Sequence, residues 1–381
     1  MPLSIFVPLE TAADETRVGA SPDTVKKLVA AGHDVVVQKG AGDRSKMVDA
    51  AFEAAGASVG AATAGKKADV VLRVRRPSDK EVGGYKKGAA VLAVMEPWDA
   101  GDSMQAMADA GVSAFAMELM PRITRAQSMD VLSSQANLAG YQAVVEGAAF
   151  YDRAMPMMMT AAGTVPAAKV FVMGAGVAGL QAIATARRLG AVVTATDVRA
   201  AAGEQVESLG AKFIMTDALK DASGEGGYAR ELTAEEKKAQ SELVAGHIAK
   251  QDIVVTTALI PGRPAPNLVS SDMVKAMKPG SVIVDLAVDR GGNVEGAKPG
   301  AVIETDNGVT IVGHSNMPGR LAASASALYA KNLLTFLETM IDKESGELSI
   351  DPEEELVKAT LLTHGGSIVH PNFAQDSKGD A

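Results

Sequence analysis

Residues 169–180 read K-V-F-V-M-G-A-G-V-A-G-L, and no other stretch limits the fold as tightly. An apolar run is followed by Gly174, Gly176 and Gly179 at GxGxxG spacing, then by Leu180, Ile183 and Ala184 on one helical face. A second apolar strand, 191–196, ends at Asp197. The glycine spacing alone is a weak signal. Strand, turn, helix, second strand and acid in register predict a βαβ unit that cradles a dinucleotide. Gly174 is expected to make the tight turn, Gly176 to let the backbone approach a pyrophosphate, and Gly179 to let the helix pack on the strand. The diphosphate would lie on N–H groups along Gly174, Ala175, Gly176, Val177, Ala178 and Gly179, at the positive end of the helix. Asp197 lies 23 residues after Gly174. A carboxylate there accepts from ribose hydroxyls and repels a 2′-phosphate, favouring NAD(H) over NADP(H). Val198 and Arg199 follow it, and Arg199 argues the other way, since a nearby arginine accommodates that phosphate. The bland alternative is a glycine-rich turn with no ligand.

The rest of the chain repeats the alternation. Strands are expected at 4–7, 34–37, 69–74, 89–94 and 112–116, and helices at 22–31, 46–55 and 103–110, which together imply a parallel sheet. Gly32, Gly56 and Gly111 each follow a helical run, where positive φ ends a helix cheaply. An irregular polar stretch covers 118–133, a helix 135–154, and a second βα series starts at 169. A long helix is expected over 321–341, with Leu333, Phe336, Leu337 and Met340 at i, i+3, i+4, i+7, and an extended tail over 360–369. The expected fold class is α/β: two Rossmann-like domains, each a mostly parallel sheet flanked by helices, joined by two long helices. Residues 1–134 and 335–381 would form the outer domain, and residues 135–334, connecting helices included, the inserted NAD(H)-binding domain.

A length of 381 residues, 47% apolar and 22% charged, suits two well-cored domains. A net charge of −9 argues against a nucleic-acid surface. The short basic clusters at Arg73, Arg75 and Arg76 and at Lys86 and Lys87 read as solvated turns or as a docking patch for an acidic partner. No cysteine is present, which removes disulfides and thiol chemistry. No signal peptide is recognisable, and the longest apolar candidate for a span, 154–168, is broken by Pro156, Gly163 and Pro166, so a soluble chain is expected. The five histidines lack metal-ligand spacing and read as surface or supporting residues, and Met157–Met159 reads as core packing.

From Met117 to Tyr141 the chain holds Arg122, Ile123, Thr124, Gln127, Ser128, Met129, Asp130 and Ser133 in a short space. An Arg–Asp pair there could be a plain salt bridge. The segment resembles the Arg-Gln-Asp loop of the NAD(H)-binding first domain of proton-translocating transhydrogenase. The likeness spans nearly the whole chain, through Arg17-Val18, Ser21-Pro22, Gly40-Ala41-Gly42, 157–166, 195–199, Gly226-Gly227-Tyr228, 257–262 and 368–371. It implies that Arg122, Asp130 and Ser133 hold the nicotinamide carboxamide and ribose, with Ile123, Thr124, Ser128 and Met129 alongside. Gln127 would reach to NADP(H) on a partner subunit. Gly227 and Tyr228, near Gly224 and Gly226, would belong to a mobile loop over the nucleotide, although a solvated linker fits equally. Gln240 and Leu259 match further nucleotide contacts. A homodimer is implied, with membrane-spanning and NADP(H)-binding subunits as partners and a position on the cytoplasmic side of the inner membrane.

The chain also resembles alanine dehydrogenases, which share the two-domain plan. Oxidising an amino acid needs a group that takes up a proton, and those enzymes use a lysine and a histidine. Here Arg75 stands where the lysine is expected, and 91–96 offers no histidine. Arginine stays charged and shuttles protons poorly. Transfer between two nicotinamide rings needs no such group, only close approach and excluded water. Amino-acid dehydrogenation by the chain alone, and non-catalytic NAD(H) binding, are the two rival expectations.

Overall fold

The computed structural model describes residues 2–216, 230, 232–260, 262–342 and 344–374. The chain divides into two compact units, one of 1–135 with 321–381 and one of 136–320. The first unit begins with strands β1 (Ser4–Val7), β2 (Asp34–Gln38), β3 (Ser58–Gly60), β4 (Val70–Arg75), β5 (Ala90–Val94) and β6 (Ser113–Ala116). Helices α1 (Pro22–Ala30), α2 (Asp49–Ala54), α3 (Asp79–Val82) and α4 (Gly101–Asp109) alternate with them. Pairing among these strands is parallel. Buried on both faces, β5 is a continuous apolar run, as suits a central parallel strand, and β4 is one interrupted by Arg73 and Arg75. Helix α1 starts at a capping box between Ser21 and Thr24 with Pro22 at its first turn. Gly32, Gly56 and Gly111 have φ of +89°, +98° and +70°, as expected of residues that end helices.

The chain enters the second unit within α5 (Val131–Phe150), a helix that starts earlier than its apolar pattern suggested. The hairpin β7 (Met158–Thr160) and β8 (Gly163–Val165) follows. Next come β9 (Lys169–Met173), α6 (Val177–Arg188), β10 (Val192–Thr196), α7 (Ala202–Ser208), β11 (Lys212–Phe213), α8 (Ala234–Ile248), β12 (Ile253–Thr256), α9 (Ser271–Lys275), β13 (Val282–Asp285), β14 (Ala301–Glu304) and β15 (Thr310–Gly313). The sheet runs β11-β10-β9-β12-β13-β15-β14, parallel except for edge strand β14. That order is the Rossmann order, with its switch point beside β9. The chain then returns to the first unit as α10 (Ala322–Thr339), α11 (Glu355–Thr360), β16 (Leu361–His364) and β17 (Ser367–Ile368). The expected extended tail is thus a hairpin, and β16 adds antiparallel to β6 to give the order β17-β16-β6-β5-β4-β1-β2-β3.

Several expectations need correction. The second crossing falls at 320/321 rather than 334/335. The reason is that Tyr329, Leu333, Phe336 and Leu337 of α10 join the core built by β1, β4 and α1. Met157, Met158 and Met159 are not core residues: they lie on or beside the β7–β8 hairpin, and Met159 is 80% exposed. Arg73 is no solvated turn residue. It is 1% exposed on β4 and held by Glu10 at 3.3 Å, Glu81 at 3.1 Å and the Tyr85 hydroxyl at 2.8 Å. His33 and His370 are buried as well, and each ring accepts or donates to main chain. Among the described residues no helix is long and apolar enough to cross a membrane, and no cluster of acidic or histidine side chains suits a metal.

Candidate functional site

In the second unit the chain turns from β9 into α6 at Gly174, whose φ is +101°. A Cβ on Gly174 would stand 2.4 Å from Thr257 Oγ1, and one on Gly179 would stand 1.8 Å from the Gly174 carbonyl oxygen. Both positions therefore demand glycine on steric grounds. A Cβ on Gly176 would meet nothing within 4 Å, so the main chain there is open to an approaching group. Ala175, Val177 and Ala178 complete the turn and the first turn of α6, where the leading N–H groups have no partner inside the helix. An open face over donor groups at a helix N-terminus suits a diphosphate, so the residues present fit a dinucleotide.

Asp197 follows β10 at the same end of the sheet. Its Oδ2 accepts from the Ala175 N–H at 2.7 Å and its Oδ1 from the Arg199 N–H at 2.8 Å. The Arg199 guanidinium folds back on the same carboxylate, at 2.9 Å to each oxygen. Burial would raise the Asp197 carboxyl, but these bonds hold it below the usual carboxylate range. Val198 links the two charged residues. Leu259 is exposed on the loop after β12, and that loop is braced by Asn293: its amide accepts from the Ala258 N–H at 3.0 Å and donates to the Ala258 carbonyl at 2.9 Å. Gln240 is half-buried on α8. Gly224, Gly226, Gly227 and Tyr228 lie outside the described residues.

The Arg-Gln-Asp segment belongs to the first unit. A 3-10 turn, Thr124–Met129, sets its shape. Ala126 and Met129 insert into the core beneath, which leaves Gln127 and Ser128 exposed, with Arg122 and Thr124 also exposed and Ile123 half-buried. Asp130 then caps α5: its Oδ1 accepts from the Ser133 N–H at 2.9 Å and its Oδ2 from the Ser133 hydroxyl at 2.5 Å. Asp130 and Ser133 thus come together as one polar pair. Arg125 is tied to Glu354 and Glu355.

Beside β4 the first unit carries a buried ionic cluster. Glu15, 0% exposed, takes a two-pronged grip from Arg17 at 2.7 Å to each oxygen and a third bond from Arg75 Nε at 2.8 Å. Burial alone would raise the Glu15 carboxyl; the Arg17 and Arg75 guanidiniums hold it at about 2. Burial would likewise lower Arg75, yet Glu15, Asp14 and Glu96 raise it, so it stays charged at any working pH. A guanidinium held in this way cannot take up a proton from a substrate.

Sequence reasoning passed over Thr257, Asn293 and Asn332. Thr257 opens the stretch 257–262 that carries part of the resemblance, and Asn332 showed one available sign, a polar side chain in the apolar stripe Tyr329, Leu333, Phe336 of α10. Asn332 Nδ2 donates to the Ser128 carbonyl at 2.7 Å and its Oδ1 accepts from the Ser134 hydroxyl at 2.7 Å.

Residues 6–139 match the alanine dehydrogenase/PNT N-terminal domain family, and residues 143–371 the C-terminal domain family. The chain is 53% identical over 378 residues to the first of the chains that make up NAD(P) transhydrogenase subunit alpha in Rhodospirillum rubrum, covering 97% of this chain and 98% of that one. A solved transhydrogenase from Sinorhizobium meliloti is 61% identical, with a TM-score of 0.86 over 97% of this chain and 100% of its own. An alanine dehydrogenase of Halomonas elongata is more distant, 30% identical over 98% of this chain and 96% of that one. With the cradle, the acid after the second strand and these full-length likenesses together, the chain belongs to the alanine dehydrogenase/PNT family and, within it, to the NAD(P) transhydrogenase alpha subunits.

Proposed function

We propose that this chain is the NAD(H)-binding subunit of a proton-translocating transhydrogenase. It presents NADH for direct hydride transfer to NADP⁺ held by a partner subunit. The observation that carries this over amino-acid dehydrogenation is Arg75, whose guanidinium is locked on Glu15 where a dehydrogenase of this family needs a proton acceptor. Bound NADH supplies the hydride, and ring-to-ring transfer releases no substrate proton. The chain's own residues bind and orient. Gly174 to Gly179 take the diphosphate, Asp197 the adenosine ribose, and Gln240, Leu259 and the stretch with Gly227 and Tyr228 add contacts. The Arg199 guanidinium, already turned onto Asp197, supports NAD(H) rather than NADP(H) at this cradle. Arg122, Asp130 and Ser133 hold the carboxamide and nicotinamide ribose, with Ile123, Thr124, Ser128 and Met129 beside them, and Gln127 reaches to the NADP(H) ribose. Proton translocation belongs to membrane-spanning subunits, which hold this homodimeric chain at the cytoplasmic face of the inner membrane.

The test is NADH-dependent reduction of an NADP⁺ analogue by the purified chain, with and without the NADP(H)-binding subunit. Transfer is expected only with both present. Rapid alanine oxidation by the chain alone with NAD⁺ would overturn the reading in favour of a dehydrogenase. NADH binding without transfer in the complete mixture would leave a binding module.

A further inference from the structure

We propose that Asn332 is the positioning residue of the Arg-Gln-Asp segment: from α10 its side-chain amide fixes Gln127 relative to Asp130 and Ser133. The inference rests on the hydride-transfer reading given above.

Asn332 is 7% exposed and sits between Tyr329, Leu333 and Phe336 on the apolar stripe of α10. A leucine would suit both the helix and that setting better, and a buried amide is tolerated only when its donor and acceptor are both used. Both are, and both by the same segment. Nδ2 donates at 2.7 Å to the Ser128 carbonyl, one residue from Gln127. Oδ1 accepts at 2.7 Å from the Ser134 hydroxyl, one residue from Ser133. The intervening 3-10 turn has no side-chain cap of its own, so this amide bridges the end of the turn to the first turn of α5.

The bridge is itself anchored. Gln135 Nε2 donates to the Ser134 hydroxyl at 3.2 Å and to the Ala325 carbonyl at 3.2 Å. Its Oε1 accepts from Arg17 Nη1 at 2.9 Å, and Arg17 grips Glu15, which also takes Arg75 of β4. A continuous polar chain therefore runs from the sheet through Glu15, Arg17, Gln135, Ser134 and Asn332 to the Ser128 carbonyl. Ala126 and Met129 give the segment depth in the core; Asn332 gives it register. All of these links lie within the first unit, and the dinucleotide cradle belongs to the second.

The experiment uses Asn332→Leu, which keeps the number of side-chain heavy atoms and deletes both bonds, and Asn332→Asp, which keeps shape and the acceptor but loses the donor to Ser128. Each is measured alone and with Gln127→Asn. Transfer in the complex reconstituted with the NADP(H)-binding subunit should fall about ten- to a hundredfold, because small misplacement of a reacting pair is costly. The chain's NADH affinity, by fluorescence titration, should change much less than transfer. In the Gln127→Asn background the Asn332 substitutions should add little, since they act through the same side chain. Fall of transfer and NADH affinity in parallel, unchanged transfer, or losses that multiply in the double variants would each overturn the proposal. Should Asn332→Leu fail to fold, Asn332→Asp and Ser134→Ala carry the same comparison. Absence of transfer with the parent chain would instead sink the functional reading itself.

Discussion

Gly179 has no room for a methyl group, since a Cβ would stand 1.8 Å from a main-chain oxygen that cannot move away without opening the β9–α6 turn. Gly179→Ala should therefore destabilise the protein by about 1–3 kcal/mol and abolish NADH binding, read by thermal unfolding and fluorescence titration. Retained affinity would show that the turn can relax. Asp197→Ala removes the acceptor for the ribose and for the Ala175 N–H; NADH should bind more weakly by about 1–3 kcal/mol, measured by calorimetry. Glu15 offers a pH test. Its folded carboxyl is lowered from 4.5 to about 2. A depressed acid contributes stability that is complete above 4.5 and drains away as pH falls towards 2, on the order of 3 kcal/mol. Comparing denaturant midpoints of the parent and Glu15→Gln isolates this contribution: the parent's advantage at neutral pH should shrink across that window. At this scale the glycines were legible because main-chain geometry dictates them locally. Arg73 and His33 were not, because Glu10, a partner of Arg73, and Leu3, the partner of His33, lie many residues away and nothing in a short window announces the pairing.

Among the elements, the part of α5 that lies in the second unit shows how a helix can set a turn by main-chain packing alone. Gly140, one residue before Tyr141, faces α6, and a Cβ there would stand 2.0 Å from the Ala178 carbonyl oxygen. The two helices meet at main-chain distance, so Gly140→Ala should push the first turn of α6 off its place. The expected result is a loss of about 1–3 kcal/mol in stability together with weaker NADH binding, even though residue 140 makes no nucleotide contact in the proposed site. A stable variant with parental affinity would show that this contact does not set the cradle. Alternation of apolar runs located the strands it named closely, β1 and β9 beginning and ending where their sequence pattern does, but it did not single out β3, the β7–β8 hairpin, β11–β15 or the short helices α3, α7, α9 and α11. The start of α5 was missed because Asp130 caps it inside a stretch whose polar composition resembles a loop. The methionine run was misread because apolar character alone does not separate a core strand from an exposed hairpin.

For the whole molecule, sequence pattern located two α/β units and the return of the tail to the first sheet, but it could not fix the second crossing. The apolar stripe of α10 is equally compatible with either core, and only packing of Tyr329, Leu333 and Phe336 decides. Ligand linkage gives a prediction at this scale. NADH at about a hundredfold its Kd should stabilise the folded chain by about 2.7 kcal/mol. Amide exchange should slow most clearly across residues 173–199, the β9–α6–β10 cradle, and uniform slowing along both units would argue against a local site there.

Gly179 answers to a main-chain oxygen and Gly174 to its own left-handed main chain and the Thr257 hydroxyl, all in the second unit, whereas the Arg-Gln-Asp segment and the Arg75–Glu15 cluster are written in side chains of the other unit. The proposed diphosphate grip and the groups proposed around the reacting ring can consequently be edited separately. On the proposed function, substitutions at Arg75 or Gln127 would alter the reaction while the glycine turn of the second unit keeps its shape.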